Sequence, residues 1–533
     1  MVNRLIPFLM PMDRIKRLIG RYLPIISVLA VFSVYVFTLL PGVGYSGDTG
    51  KFQFVGKVLG IPHEPGSPTY VILNHLLVNA IPFGSTAFKA NLISAFFSVL
   101  ALLVLSQILR LLGIRPFVAA VTILIFGFSY TLWSQSVIAE VYSLCVLFVA
   151  LTLWLFVRWH KSGKPGDFLL ACAVYAVSFG NHLIVVTILP AIVYLAWVTR
   201  RDYFWSPRII VPVLLLIALG AAQYGYLIWR YYSPETSYLE ILVPDLRTLW
   251  HFVSGGQFQP NFFGLGWKGA IFERLPLLFR FIWLEFLPLT AVSILGYFVL
   301  EQRTIRNFLL LAALGTFVFD LIYVVPDIFI YMLPVYVVIA IGLGLGLEWL
   351  AAHWSPRYRM TLSIVIALIP AVFITLNLPR ADQSKSGEAG KLVEESLRTV
   401  GKNSLIICPN YDYAGYFWYY VFAEKNTSDS LFVLYSHEGE LPIRDLELYL
   451  DRKGTVGLPL QRRNLPDGLA VFYCTAYQPR PFDRGRVRYP ENEDNLDRYR
   501  RSFVNVPMNR MKADGYVFER VSRELYRVQK PNR

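Results

Sequence analysis

Acidic residues beside long apolar segments are the residues of this chain best suited to chemistry. Asp48 follows the first long apolar segment, within the sequence YSGDTGKFQFVGKVLGIPHEPGSP of residues 45–68, and His63 and Glu64 come a short amphipathic stretch later. Only 16% of the residues are charged, so carboxylates at membrane boundaries are scarce and costly to keep there. Such a carboxylate can accept the proton of an acceptor hydroxyl while that oxygen attacks a sugar carbon, if the groups lie within about 3 Å.

The same reaction needs groups that stabilise a departing lipid phosphate, whose growing negative charge requires a cation or fixed dipoles. His63 and His182 could donate hydrogen bonds to it, and Lys51 or Lys57 could neutralise it. Asp48 also has a structural interpretation, because Asp between Gly and Thr-Gly is typical of an Asx-turn or a helix N-cap. The residue types alone leave both roles open.

Further polar residues mark the ends of predicted membrane segments. Glu140 opens one of them in the sequence Glu-Val-Tyr, which ends at Tyr142. Asn181 and His182 form a turn between two short segments, and Asp327 lies in a late acidic turn. Each has a structural alternative: a helix N-terminal acid for Glu140, a core histidine for His182, and a cap for Asp327.

The distribution of apolar residues predicts a polytopic membrane protein with a polar C-terminal part. The chain has 533 residues, 55% of them hydrophobic, and its mean hydropathy is +0.48. Apolar runs of roughly 18 to 23 residues, enough to cross a bilayer, recur as far as residue 378. We predict about 11 transmembrane helices, at 23–41, 91–112, 116–134, 138–158, 168–181, 184–199, 209–230, 276–300, 306–324, 328–351 and 360–378.

Charge asymmetry predicts the orientation. The net charge of +14 comes partly from basic residues clustered at one set of loops, which indicates topology and argues against a nucleic-acid partner. Connections at 134–138, 181–184 and 324–328 contain no Lys or Arg. We therefore expect an integral protein of a bacterial inner membrane, with a cytoplasmic N-terminus and an extracytoplasmic C-terminal domain.

Two long outer loops and the tail complete the predicted organisation. The first loop, about 42–90, is expected to form short interfacial helices, and the second, about 231–275, to cover a groove at the membrane surface. Residues 1–379 would form the catalytic membrane domain and 380–533 a soluble α/β domain. Within that domain, Cys408 and Cys474 could be buried thiols or one disulfide.

Several segments, in order, resemble the multi-pass GT-C glycosyltransferases. They are GDTGKFQFVGKVLGIPHEPGSPTY, KANLISAFFSVLALL, YTLWSQSVIAEVYSL and SFGNHLIV, with YVVPDIFIYMLPVYVV a looser match. The most similar families are the transmembrane protein O-mannosyltransferases and their bacterial relatives. The His-Glu-Pro-Gly-Ser-Pro sequence departs from the family's His-Pro-Pro-Gly-Tyr-Pro form by adding Glu64, which makes Glu64 a competing base.

The resemblance implies an enzyme that moves a mannose-like sugar from a polyprenyl-phosphate donor to an acceptor on the outer face, with inversion at the anomeric carbon. It implies that Asp48 is the essential acid of the first loop, with Glu140 as a second one. The expected substrate- and donor-binding residues are Lys51, His63, Glu64, Pro65, Gly66, Tyr142, Asn181, His182 and Asp327.

Three alternatives remain open at this stage. The acceptor could be a protein, or a lipid or envelope glycan. The chain could instead be a transporter or flippase, which predicts charged residues deep in several spans, and only Asp320 and Glu285 qualify. A non-catalytic scaffold is the third. A divalent cation is a further open question, because Asp48, Glu64, Glu140 and Asp327 carry oxygen ligands.

Overall fold

The computed structural model describes residues 12–44, 47–234, 238–325, 327–424, 427, 430–435, 450, 457–458, 463–476 and 505–530. It contains a helical bundle followed by a small mixed sheet with helices. The α-helices are α1 Met12–Phe37, α2 Thr49–Phe52, α3 Pro68–Ala80, α4 Thr86–Leu111, α5 Pro116–Gly127, α6 Tyr130–Ser136, α7 Tyr142–Ser162, α8 Pro165–Ser178, α9 Leu189–Thr199, α10 Pro207–Ala222, α11 Gly225–Tyr232, α12 Leu246–Val253, α13 Gly266–Gly269, α14 Leu275–Phe286, α15 Leu289–Val299, α16 Arg303–Ile322, α17 Ile328–Tyr331, α18 Leu333–His353, α19 Arg359–Ala381, α20 Glu388–Thr399, α21 Tyr411–Tyr419 and α22 Val506–Ala513.

The helices confirm a polytopic membrane fold. Among the residues that the structure describes, six helices are long and apolar enough to cross a membrane, and two further helix pairs, α5 with α6 and α13–α14 with α15, are long and apolar enough if each bent pair is one span. Shorter apolar helices occupy Tyr22–Phe37, Pro165–Ser178 and Leu183–Thr199. Every predicted apolar segment coincides with one of these elements. The number of actual crossings stays a prediction.

The predicted spans 116–134 and 276–300 are both bent in the structure, the first by 68° between α5 and α6. Residues 276–300 were expected to form a continuous helix, but α14 and α15 are bent by 96°. The break falls at Leu287, which has a left-handed φ of 54°, directly before Pro288. Proline disfavours the α conformation of the residue before it and removes a backbone donor, so the helix stops there.

The bend places Glu285 where it caps another helix. Both oxygens of the buried Glu285 carboxylate accept hydrogen bonds from Thr131, from its backbone nitrogen at 2.7 Å and its hydroxyl at 2.8 Å. Thr131 lies in the first turn of α6, whose free N–H groups favour an anionic partner. Glu285 therefore anchors α6, the helix that leads into the Glu140 segment, and its role is structural.

The C-terminal part confirms the expected α/β fold. The strands are β1 Ser404–Cys408, β2 Leu431–Tyr435, β3 Gly457–Leu458, β4 Arg463–Asn464, β5 Ala470–Cys474, β6 Val517–Ser522 and β7 Leu525–Gln529. Five form one sheet in the order β2-β1-β5-β7-β6. The central β1 pairs in parallel with β2 and β5, and β7 runs antiparallel to β5 and β6. β6 and β7 form a hairpin at the end of the described chain.

The two long loops contact each other beside the bundle. The first contains α2 and α3, and the second contains α12, the 3₁₀ helix Gly256–Asn261 and α13. Ile61 bridges them: its nitrogen donates to the carbonyl of Tyr238 at 2.9 Å, and its carbonyl accepts from the nitrogen of Glu240 at 2.8 Å. This pairing brings Glu240, a residue of the second loop, to the segment that carries Asp48.

Candidate active site

A cavity of about 580 Å³ lies where the first loop, the second loop and several helix ends meet. Its lining includes most of the residues expected from the sequence: Asp48, His63, Glu64, Pro65, Glu140, Tyr142, His182 and Asp327. Lys51, Gly66 and Asn181 are not part of the lining. The polar residues of distant segments thus share one cavity.

Asp48 presents its carboxylate to the cavity. It occupies the N-cap position of α2 but makes no side-chain capping hydrogen bond. Its Oδ1 lies 2.9 Å from Lys51 Nζ, and its Oδ2 lies 3.6 Å from His63 Nε2. The Asp48 side chain is 37% exposed, so a ligand in the cavity can reach it. Asp48 thus occupies the position of a cap, but its carboxylate contacts Lys51 and His63 instead of the free N–H groups of α2.

Lys51 is the buried cation of the site. Its side chain is only 1% exposed, and its Nζ lies 2.7 Å from Tyr411 Oη and 3.2 Å from Glu240 Oε2, besides Asp48. Burial lowers the pKa of Lys51, but the charges of Asp48 and Glu240 outweigh burial and raise that pKa above its ordinary value. Lys51 therefore stays an ammonium ion, and its few N–H groups are taken up by neighbours.

His63 is held in one neutral form. Its Nδ1 contacts Lys51 Nζ, and because an ammonium only donates, Nδ1 must accept and the ring proton sits on Nε2. Burial lowers the pKa of His63 despite the opposing charge of Asp48. The Nε2–H group accordingly faces Asp48 and the cavity.

The turn after His63 is fixed by Gly66. The Gly66 nitrogen donates to the carbonyl of His63 at 2.8 Å, and its φ is 88°, which favours glycine. A Cβ at Gly66 would lie 2.7 Å from Leu227 Cδ2, so a side chain has no room there. Gly66 therefore shapes the segment from outside the cavity.

Asn181 connects this turn to the Glu140 segment. Its carbonyl accepts from the Ser67 hydroxyl at 2.9 Å, and its Nδ2 donates to the carbonyl of Val141 at 3.1 Å. Asn181 is fully buried. Asn181 therefore connects two segments that line the cavity through hydrogen bonds to Ser67 and Val141.

Glu140 is buried between the first loop and α7. Glu140 was expected to open the span 138–158. Because α7 begins at Tyr142, Glu140 is instead a loop residue two positions before the helix. Its Oε1 accepts from the Thr49 hydroxyl at 3.2 Å. Burial, and then the charge of Asp48, raise the pKa of Glu140 well above its ordinary value. The two acids are therefore differentiated: Asp48 is paired with a cation, and Glu140 is biased toward its protonated form.

His182 sits among tyrosines on the other side of the cavity. Its ring centroid lies 5.4 Å from those of Tyr142 and Tyr331. Its Nδ1 accepts from the nitrogen of Ile184 at 3.2 Å, which leaves Nε2–H as the free donor of the neutral ring. Burial, assisted by His63, lowers the pKa of His182 to about 4.

His182 should make the fold acid-sensitive. Because its pKa is about 4 when folded and 6.5 ordinarily, the unfolded chain takes up the proton first as the pH falls. The stability that neutral His182 contributes is thus complete above 6.5 and lost toward pH 4, on the order of 2–3 kcal/mol. We expect the Tm of His182→Gln to fall less than the Tm of wild type as the pH is lowered from 6.5 to 4. Equal decreases in Tm for the variant and wild type over this pH range would contradict the prediction.

Glu240, Tyr238 and Tyr411 belong to the site but were not foreseen. Tyr411 Oη donates to Glu240 Oε1 at 2.9 Å, and Tyr238 Oη lies 3.0 Å from Glu240 Oε2. The only signal in the sequence was the acidic, aromatic character of the second loop. Lys57, considered for phosphate neutralisation, is exposed and bonds to Asn79 Oδ1 at 2.8 Å, away from the cavity.

The cavity is lined by both polar and apolar residues. Its apolar lining includes Leu183, Ile184 and Val186 of the 3₁₀ helix Leu183–Ile188, Phe319 of α16 and the loop residue Phe262. No Lys or Arg is among the described residues that line it. Within the described part of the chain, no group of three or more His, Cys, Asp and Glu side chains is arranged to hold a metal ion.

The fold defines the class of membrane protein. The crystal structure of ArnT from Cupriavidus metallidurans in the apo state matches with a TM-score of 0.54 at 12% sequence identity, over 95% of this chain and 97% of that chain. The Archaeoglobus fulgidus oligosaccharyltransferase in complex with Zn and sulfate matches with a TM-score of 0.52 at 13% identity, over 85% of this chain and 68% of that chain. The chain has the GT-C fold of these membrane proteins.

Sequence similarity narrows the class further. Residues 48–204 match the family described as the protein O-mannosyl-transferase TMEM260 N-terminal domain. The protein O-mannosyl-transferase TMEM260 of Mus musculus is 32% identical over 221 residues, 40% of this chain and 30% of that protein. The Dictyostelium discoideum protein of the same name is 22% identical over 207 residues, 36% of this chain and 25% of that protein. The chain thus spans less than a third of the length of these relatives.

Proposed function

We propose that this protein is a membrane glycosyltransferase that transfers a mannose-like sugar from a polyprenyl-phosphate donor to a hydroxyl of a protein acceptor. The observation that carries the proposal is the single cavity into which Asp48, His63, Glu140 and His182 all project. The match of residues 48–204 to an O-mannosyl-transferase domain supports the reaction class, since it covers these four residues.

The polar and the apolar residues of the lining suit the two parts of such a donor. The sugar phosphate would lie near Asp48, and the prenyl chain would follow the apolar residues toward Val186, which is 45% exposed. ArnT, of similar fold, has been solved bound to undecaprenyl phosphate, with a TM-score of 0.54 to this chain. A prenyl chain gains about 0.8 kcal/mol for each CH₂ that it buries.

The proposed step is a direct displacement at the anomeric carbon. The acceptor oxygen forms a bond to this carbon as the bond to the phosphate oxygen breaks, and the electron pair of that bond leaves with the phosphate. Asp48 takes the acceptor proton. Attack opposite the leaving group inverts the configuration. Glu140 in its protonated form and the Nε2–H of His182 are the donors placed to stabilise the departing phosphate.

Asp48 is a better base than Glu64 in this proposal. Both line the cavity, but Glu64 is only 2% exposed, whereas the Asp48 side chain is 37% exposed. An acceptor hydroxyl must come within hydrogen-bond distance of the base. Accessibility therefore favours Asp48.

We further propose that Lys51 supplies the fixed positive charge that a bound divalent ion supplies in metal-dependent enzymes. Its ammonium lies 2.9 Å from Asp48 and 3.2 Å from Glu240. The carboxylate charges that a hard cation would need are already neutralised there. Transfer would then proceed in excess chelator.

The proposed orientation places the cavity on the extracytoplasmic side of a bacterial inner membrane. The loops free of Lys and Arg contribute to the cavity through Ile138, His182 and Asp327. The basic loops meet elsewhere: Lys161 Nζ contacts the carbonyl of Leu111, and Arg200 Nη1 lies 3.4 Å from the carbonyl of Gly163. The loops without Lys and Arg therefore contribute to the cavity, whereas the basic loops contact one another, a separation that the positive-inside rule associates with opposite sides of a membrane.

Blocking the apolar side tests the donor assignment. We expect Val186→Trp to weaken binding of undecaprenyl phosphate to the purified protein at least about 10-fold, because an indole fills space meant for the prenyl chain. The control is Leu214→Trp, at a position on α10 that is 58% exposed and not part of the lining. Equal affinity of the two variants and wild type would refute this placement of the donor.

A further inference from the structure

The C-terminal domain contacts the segment that carries Asp48 at several points. Asn410 follows β1 and caps α21, its Oδ1 accepting from the nitrogen of Tyr413 at 3.1 Å. This cap fixes the start of α21, where Tyr411 and Asp412 lie. Both side chains reach the first loop, more than three hundred residues earlier in the sequence.

The Tyr411 hydroxyl links the two loops through Lys51. It accepts from Lys51 Nζ at 2.7 Å and donates to Glu240 Oε1 at 2.9 Å. Lys51 is shared between Asp48 on one side and Glu240 on the other. A hydrogen bond to Glu240 from a neutral donor satisfies part of that carboxylate, so the ammonium is less strongly drawn away from Asp48.

Two more contacts hold the backbone on either side of Asp48. Asp412 Oδ1 accepts from the Gly47 nitrogen at 2.8 Å. On the other side, α2 packs on α21 so closely that a Cβ at Gly50 would lie 2.9 Å from Tyr416 Cδ1. The backbone that carries Asp48 is therefore held between two residues of one helix of the C-terminal domain.

We infer that the C-terminal domain completes the active site, with Tyr411 and Glu240 as positioning residues that hold Lys51 against Asp48. This inference rests on the proposed transfer reaction and extends it to residues outside the matched segment 48–204. Tyr411 acts through Lys51, so its loss should slow the chemical step more than it weakens donor binding.

The first test is Tyr411→Phe, which removes one hydroxyl and keeps the ring. We expect kcat for transfer from a polyprenyl-phosphate mannose to fall about 10- to 100-fold, the effect of one charge-assisted hydrogen bond, with KM for the donor within about twofold. The matched control is Tyr420→Phe, which removes a hydroxyl 3.4 Å from the carbonyl of Gly390 in the same domain. It should retain wild-type kcat.

The second test uses the pH profile of Glu240→Gln. The charge of Glu240 helps to raise the pKa of Lys51, so its removal should move the alkaline limb of kcat to lower pH. A merely structural residue would change stability without moving this limb. Wild-type kcat in Tyr411→Phe together with an unmoved limb in Glu240→Gln would overturn the inference.

Hydrogen exchange separates this inference from the proposed function. Tyr411→Phe should speed amide exchange in residues 49–55 relative to wild type and Tyr420→Phe, whether or not the protein transfers sugar. Unchanged exchange in residues 49–55 would contradict the positioning role of Tyr411 without contradicting the proposed transfer reaction. Absence of transfer by wild type, with faster exchange in the variant, would refute the reaction and leave the positioning intact.

Discussion

Asp48→Asn is expected to lower kcat for sugar transfer by about 10²- to 10⁴-fold, the usual contribution of a general base. The amide has nearly the shape of the carboxylate but cannot take the acceptor proton. Lys51 would keep Glu240 and Tyr411 as partners at 3.2 and 2.7 Å, so the ammonium is not left unpaired. Thermal unfolding should therefore change little while turnover collapses.

Glu64→Gln is the matched comparison for this variant. Glu64 lines the same cavity but is almost fully buried. If Asp48 is the base, Glu64→Gln retains most of its turnover when Asp48→Asn has lost it. The reverse pattern would assign the proton transfer to Glu64 and would overturn the role given to Asp48.

Lys51→Met is expected to give the largest loss of stability of any single substitution at the site. It removes a cation that is 1% exposed and leaves the carboxylates of Asp48 and Glu240 facing each other without it. Because the side chains of Asp48 and Glu240 are 37% and 18% exposed, water screens part of their repulsion, and we expect a cost of about 1–3 kcal/mol. Differential scanning fluorimetry in detergent would record a lower Tm, and transfer activity would fall with it.

Lys57→Met is the control for this loss. Lys57 carries the same charge in the same loop, but it is exposed and its Nζ bonds only to Asn79 within the described hydrogen bonds. Its replacement should change stability by no more than about 0.5 kcal/mol. Equal Tm values for the two variants would show that the ion pairs of Lys51 with Asp48 and Glu240 do not stabilise the fold.

The sequence was sufficient to predict the membrane fold, and most of the residues expected at the site line the cavity. Asp48, Glu140 and His182 were identifiable because polar residues at the ends of apolar segments are costly, and the predicted topology placed them all on one side. The α/β fold of the C-terminal domain followed from strand-like runs that became β1, β2 and β5.

The contacts around Lys51 could not be read from the sequence. Its partners Glu240 and Tyr411 lie 189 and 360 residues away, and no local pattern marks such pairings. Lys51 was expected to bind the donor, yet it lies outside the cavity lining and holds Asp48 instead. The bend at Leu287 was missed because hydropathy continues across it.

The two predicted intramembrane acids have different surroundings. Glu285 caps α6 through Thr131. Asp320 is fully buried in α16, and its carbonyl accepts from Arg274 Nε at 3.3 Å. Neither lines the cavity. These placements offer no support for the transporter alternative, which needs charged groups along a path through several spans.

The most direct test is the product formed by the purified wild-type protein. It would be given a polyprenyl phosphate carrying a β-linked mannose, in excess chelator, with folded protein domains in one reaction and a glycolipid acceptor in another. We predict release of polyprenyl phosphate and an α-linked mannose on the protein acceptor. Transfer only to the glycolipid would show that the acceptor is a glycolipid and not a protein. A product with a β-linked mannose would contradict direct displacement at this cavity. Absence of polyprenyl phosphate release with either acceptor would contradict it as well.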